Sequence, residues 1–249
     1  MTKKAIIEIK NLSKSFVNKK EEVNVLDNIN IDIYDNEIVA IVGTSGCGKS
    51  TLLNIIDGLD NDYEGSILYH FDKKLIGYML QEDALFPWLS VIDNANLACK
   101  IKKINNQDYV NELIVRYALK DFQKEYPDKL SGGMKQRVAL IRTISFKPKL
   151  LLLDEPFAAL DYQTRLSISK DIYDLIKENK LTTIIITHDI SEAISMADRV
   201  IVLSKRPSHI KNIYNISLNK KTDPIQNRND ENFSKFYNLI LKDLDILEK

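Results

Sequence analysis

The run Gly43-Thr44-Ser45-Gly46-Cys47-Gly48-Lys49-Ser50-Thr51 constrains this chain more than any other stretch. It follows the apolar residues Ile38, Val39, Ile41 and Val42, and it leads into residues 49–58, which read as a helix closed by Gly58. This is G-x-x-x-x-G-K-[ST] in the strand–loop–helix setting that the motif requires. Glycines let the backbone fold tightly enough for several N–H groups to converge on one point. The helix N-terminus adds its partial positive charge there. Such a loop suits the crowded negative charge of nucleotide phosphates, with Lys49 reaching the β- and γ-phosphates and the Ser50 hydroxyl holding Mg²⁺. The Cys47 side chain is not needed for that chemistry and reads as a tolerated small residue.

The remaining pattern alternates strands and helices. Residues 5–9 and 29–33 alternate apolar and polar, as half-buried antiparallel strands do. Residues 37–42, 150–153 and 183–187 are nearly continuous apolar runs, which suits parallel strands buried on both faces, and 199–203 reads as another. Helices are expected at 134–145 and 163–179. The expected fold is therefore α/β, with a parallel central sheet and an antiparallel β-subdomain. Residues 83–133 break the rhythm, with helical stretches at 91–101 and 107–119 and no strand. They read as a helical subdomain inserted in a single domain whose α/β core spans 1–82 and 134–204. Residues 205–249 form a charged tail. Its end is amphipathic, with Phe233, Phe236, Tyr237, Ile240, Leu244 and Leu247 on one helical face that should pack on the core.

Bulk properties narrow the partners. Lysine plus arginine equals aspartate plus glutamate at 35 each, so the basic excess typical of a nucleic-acid binder is missing. Two cysteines in no metal-ligand pattern suit a reducing compartment. The N-terminus has lysines but no apolar h-region, and no apolar run reaches the roughly 18–20 residues of a membrane span. A membrane role must come through a partner.

A second chemical cluster follows the four leucines 150–153, as Asp154 and Glu155. Ligands bind at the carboxyl ends of strands in an open parallel sheet. Asp154 then faces the Mg²⁺, and Glu155 polarises the attacking water as general base.

A phosphate loop alone leaves kinases, GTPases and many ATPases open. Leu130-Ser131-Gly132-Gly133-Met134-Lys135-Gln136-Arg137 resembles the LSGGQ-type signature of ATP-binding cassette (ABC) ATPases. In the family's order, Gln81 resembles the Q-loop glutamine, Ala159-Leu160-Asp161 the D-loop, and His188 the switch histidine. Phe16 falls where the family places an adenine-stacking aromatic. The resemblance covers residues 6–210 and implies a P-loop NTPase (RecA-like) core that hydrolyses ATP with Mg²⁺. It also implies a homodimer that sandwiches two ATPs, with Ser131, Gly132 and Gly133 of one chain against the γ-phosphate held by the other. His188 would sense the γ-phosphate, and Gln81 would bridge Mg²⁺ or water and link nucleotide state to the helical insert.

A narrower resemblance rests on residues 81–88, 157–165, 188–193 and 197–207, which are similar to the nitrate/sulfonate/taurine-type importer ATPases. It implies attachment to the cytoplasmic face of the cell membrane through an integral permease, served indirectly by an extracytoplasmic solute-binding protein. The exposed residues expected at Phe86, Pro87 and Trp88 would meet the permease. The stretch between Gly65 and Gln81 looks short for the family, as though a hairpin were trimmed. The short tail disfavours a sugar or polyamine importer. Two competing readings are a non-transport ABC ATPase acting on ribosomes or DNA, which usually has two cassettes or long coiled coils, and a scaffold that binds ATP without turnover, which the intact Glu155 and His188 oppose.

Overall fold

A computed structural model describes residues 4–18, 21–219 and 222–244. All five residues of β3 (Ile38–Val42) are buried, which is why this run carries no polar alternation. Before it, β1 (Ala5–Asn18) and β2 (Glu21–Tyr34) form a long antiparallel pair whose register shifts several times. After it come α1 (Lys49–Asp57), β4 (Glu64–Tyr69) and β5 (Ile76–Met79). The inserted segment supplies α2 (Val91–Lys102) and α3 (Gln107–Arg116), and α4 (Gly132–Ile144) returns the chain to the core. Then follow β6 (Leu150–Asp154), α5 (Tyr162–Glu178), β7 (Thr182–Ile186), α6 (Ile190–Met196), β8 (Arg199–Leu203), β9 (Ile210–Asn215), α7 (Pro224–Asn227) and α8 (Phe233–Asp243).

Two sheets result. One is antiparallel in the order β2-β1-β4. The other has the order β5-β6-β7-β3-β8-β9 and is parallel except for β9, which pairs antiparallel with β8. The larger sheet is covered on both faces. Alternate residues of β3 and β6 (Ile38, Ala40, Val42, Leu151, Leu153) join a core with α4, α5 and α6. The residues between them (Val39, Ile41, Leu150, Leu152) join a second core with α1 and the antiparallel sheet. Two-sided burial accounts for the continuous apolar runs. At about 25 cal/mol per Å² of apolar surface, it is the main driving force for this layering.

Three strands lie where none was expected. The stretch between Gly65 and Gln81 holds most of β4, a single turn of helix (Lys73–Leu75) and β5. In the tail, β9 extends the main sheet, and Phe236, Ile240 and Leu244 of the last helical segment are buried in the same core as α6. The C-terminal amphipathic face thus packs inward, as its periodicity predicts; Leu247 lies outside the described residues. No helix among the described residues is long and apolar enough to cross a membrane.

Candidate functional site

The loop after β3 turns back over the N-terminus of α1 through Gly48, at φ 112°. A side chain there would be strained and would also strike Val25, whose Cγ1 would lie 2.8 Å from the new Cβ. Beneath the loop the Cys47 thiol is buried against Gly43. Lys49 is only 6% exposed. Its ammonium donates to the Gly43 and Thr44 carbonyls at 2.9 and 3.2 Å, so it is aimed into the loop rather than at solvent.

An open cavity of about 380 Å³ sits over this loop. Ser45, Gly46, Gly48, Lys49, Ser50 and Thr51 line its floor, Phe16 and Val25 one wall, and Gln81, Glu155 and Arg206 the rim. The parallel strands explain the convergence: the loops after β3, β5, β6 and β8 all leave from the carboxyl edge of one sheet. Phe16, on β1, is 46% exposed, with the Lys14 ammonium 4.7 Å from the ring centroid. It is therefore an open aromatic wall and not a core phenylalanine.

Asp154 ends β6 and is 6% exposed. Burial raises its carboxyl above the ordinary value, helped by the neighbouring Glu155 charge; hydrogen bonds from Ser50 and Tyr78 and the Lys49 charge pull the other way. Its Oδ1 is buried with no hydrogen-bond partner. A buried anionic oxygen without a donor, beside the Ser50 hydroxyl, is the donor set a hard divalent cation takes when phosphate oxygens complete its shell. The residues fit Mg²⁺ held by Ser50 and Asp154. Among the described residues no cluster of three His, Cys, Asp or Glu could hold a metal alone.

The linkage sign follows from the raised value. A carboxyl whose folded pKa lies above its unfolded one favours folding while protonated, and this contribution is lost as pH rises from the ordinary aspartate range through the folded value. Asp154→Asn is therefore expected to raise the nucleotide-free Tm at neutral pH. The gain should close as pH falls toward 4. Thermal melts across pH check this; a lower Tm for the variant at neutral pH would contradict it.

Glu155 follows directly, at φ 46°, a region where non-glycine residues are uncommon and which often marks functional sites. Its N–H donates to Ile186 O at 2.9 Å, pinning it beside β7. One carboxylate oxygen, Oε2, stands 3.0 Å from His188 Nδ1 and 3.5 Å from Gln81 Nε2. A carboxylate only accepts, so His188 bears its proton on Nδ1 in this contact. The His188 loop is itself braced. Thr187 Oγ1 donates to the buried Glu192 at 2.5 Å, and Asp189 caps α6 by accepting from Ser191 N and Glu192 N at 2.7 and 3.2 Å.

Gly43, Thr44, Cys47, Asp154 and His188 flank this cavity without lining it, and Ser131, Gly132, Gly133 and Asp161 lie on other elements. Ser131 caps α4, its Oγ accepting from Met134 N at 3.3 Å. Ser131 and Gly132 are exposed, while Gly133 is buried so close to Thr164 that a Cβ would meet its methyl at 2.7 Å. Asp161 caps α5, accepting from Gln163 N and Thr164 N at 3.1 and 3.0 Å, and the Thr164 side-chain hydroxyl, followed by these backbone bonds, holds its carboxyl below the ordinary value. Gly132 instead lines a neighbouring cleft with Gln81, Gln136 and Leu160. Three residues at the site were not anticipated, the first being Val25 of β2 in the cavity wall. Tyr78 of β5 donates to Asp154 at 3.5 Å, and Arg206 reaches back from the loop after β8 to donate to the Gly46 carbonyl. Nothing in the local pattern around Tyr78 marks it, and Arg206 was visible only as part of a longer similar stretch.

A phosphate-cradling loop, a strand-end acid pair and a braced histidine on one sheet edge, with an exposed signature helix beside them, define an ATP-hydrolysing cassette. The chain belongs to the ABC transporter family, whose model matches residues 26–158. It is 39% identical over 246 residues to the aliphatic sulfonates import ATP-binding protein SsuB of Bacillus cereus, covering 96% of both chains. It is 37% identical over 254 residues to YtlC, an uncharacterized ABC transporter ATP-binding protein of Bacillus subtilis, covering 98% of both. Its fold matches the dimeric structure of MJ0796, a bacterial ABC transporter cassette, at a TM-score of 0.74 and 30% identity, covering 85% of this chain and 99% of that one. The same cassette is also known in a post-hydrolysis state bound to ADP and Pi, with equal likeness.

Proposed function

We propose that this chain is the ATP-hydrolysing subunit of a membrane importer whose solute is a small anion of the sulfonate type. The observation that carries the motor role is the Glu155 carboxylate, held by His188 and Gln81 over the floor formed by Lys49 and Ser50. The sulfonate preference rests on the likeness to SsuB along nearly the whole chain. Taurine is itself a sulfonate and falls within this reading; nitrate and vitamin precursors are the alternatives.

In this reading adenine stacks on Phe16, and the backbone of residues 43–51 and Lys49 bind the phosphates. Mg²⁺, when bound through Ser50 and Asp154, neutralises charge on the β- and γ-phosphates. Glu155 takes the proton of the water that attacks the γ-phosphorus. His188 orients that carboxylate through Nδ1–H, and Gln81 contacts the same oxygen. Two copies face each other head to tail, so that residues 131–133 and Asp161 of one complete the site of the other. The pair docks on an integral permease at the cytoplasmic face of the membrane, and a solute-binding protein delivers the solute from outside.

Phe86 and Trp88 are the proposed docking residues, at 39% and 69% exposure. Trp88→Ala is expected to weaken co-purification with the permease by about 10-fold or more, the size of an interface hot spot, while ATP affinity stays unchanged. Undiminished assembly would remove Trp88 from the surface. The solute is tested by uptake of a labelled alkanesulfonate in cells whose only copy carries Lys49→Ala. Lost uptake supports the assignment. Normal uptake, with the purified parent chain hydrolysing ATP and the Lys49→Ala chain inactive, would send the search to another solute.

A further inference from the structure

Residues 83–90 lead from the Gln81 loop into α2 and present Phe86 and Trp88, whose ring centroids lie 5.2 Å apart at 54°. An exposed irregular segment ordinarily samples many conformations, since fixing each residue costs about 1–2 kcal/mol of backbone entropy. Here two side chains from different helices hold it by its backbone. At the far end Asn94 of α2, 0% exposed, accepts from Phe86 N at 2.9 Å. Its amide donates to the carbonyls of Phe86, Leu89 and Ser90 at 3.1, 2.9 and 3.2 Å. At the near end Arg142 donates through both terminal nitrogens, to Asp83 O and Ala84 O, each at 2.8 Å. Ala84 lies at φ 44°, a conformation that needs such support.

Arg142 stands in the last turn of α4. That helix starts at the signature residues, of which Ser131 and Gly132 are exposed and Gly133 is buried, about 15 Å away along a rigid element. Burial pulls the Arg142 guanidinium below its ordinary value, with the Asp83 charge partly opposing. A guanidinium kept there against desolvation, and forked onto two carbonyls of one loop, locks that loop to α4 with bidentate geometry that a lysine does not reproduce.

We propose that Arg142 is a positioning residue that makes α4 and the Phe86/Trp88 loop move as one body, so that nucleotide engagement at residues 131–133 is reported at Trp88. The inference rests on the reading of those two regions given above. It adds the residue that joins them, which is neither in the nucleotide cavity nor on the docking face.

Trp88 is the chain's single tryptophan, so its fluorescence reads this loop alone. The test titrates Mg-ATP into the purified Glu155→Gln chain, following Trp88 emission and acrylamide quenching, with ATP affinity measured separately by calorimetry. Saturating ATP is expected to change Trp88 quenching with the calorimetric midpoint. Adding Arg142→Ala should remove about three-quarters of that change, with ATP affinity within about two-fold of the parent, because the fork and not the cavity has been altered. Should the alanine variant not fold, Arg142→Lys keeps the buried stem and charge without the fork and is expected to show the same loss. If ATP binds and Trp88 does not respond, or if the Arg142 variants respond fully, the coupling role is overturned and the ATPase reading stands. If ATP does not bind the parent, the ATPase reading falls, and the coupling role with it.

Discussion

Glu155→Gln is expected to lower ATP turnover by about 10²–10⁴-fold, the usual contribution of a positioned general base, while ATP binding persists. The substitution changes little else. The amide oxygen of glutamine can still accept from His188 Nδ1, now 3.0 Å from Glu155 Oε2, and the strained backbone at φ 46° is untouched. What disappears is the capacity to take a proton from water. Because the phosphate loop and Ser131 are intact, the variant should accumulate as an ATP-held dimer, visible in size-exclusion chromatography run with Mg-ATP. Turnover at the parental rate would place the base elsewhere. His188→Ala separates orientation from base function: it should slow turnover less than Glu155→Gln, since it removes the brace and leaves the carboxylate.

The legibility of this site follows from where its information lies. Residues 43–51 and Asp154 and Glu155 are readable because local sequence makes the local geometry: an apolar strand, a turn that needs Gly48, and a helix start. The sheet order could be expected only as a class, yet its parallel runs were legible because two-sided burial leaves β3, β6 and β7 almost wholly apolar. The missed strands show the converse. All six residues of β4 stay at least partly exposed, and β5 is four residues with a glycine. Of the six in β9, none is fully buried. Each is a strand because a neighbour offers a free edge, information absent from its own residues. The polar first half of β2 went unread for the same reason. Arg142 and Asn94 were illegible in a stronger sense, since both act on the backbone of a distant loop, and backbone carbonyls leave no mark in a sequence. Trp88 could be expected at the surface only through a similar stretch in related chains, and its exposure is consistent with that placement.

Lys49→Ala is expected to weaken ATP binding on the order of 10–10²-fold, from losing one charge-assisted hydrogen bond at ~1.5–3 kcal/mol. Two effects add. The variant loses the one ammonium that lines the cavity floor among the described residues, and it leaves the Gly43 and Thr44 carbonyls without the donor that now joins them at 2.9 and 3.2 Å. The second effect loosens a loop whose N–H groups must already point at the phosphates for the helix terminus to contribute. Calorimetric titration with Mg-ATP and with AMP divides them. A lost phosphate contact weakens ATP far more than AMP, whereas a collapsed loop that also moves Phe16 and Val25 weakens both alike. Unchanged ATP affinity would remove Lys49 from phosphate binding. The contrast with Glu155→Gln is the sharper check on the cavity as a whole: one variant should fail before the dimer forms, and the other only after it has closed on ATP.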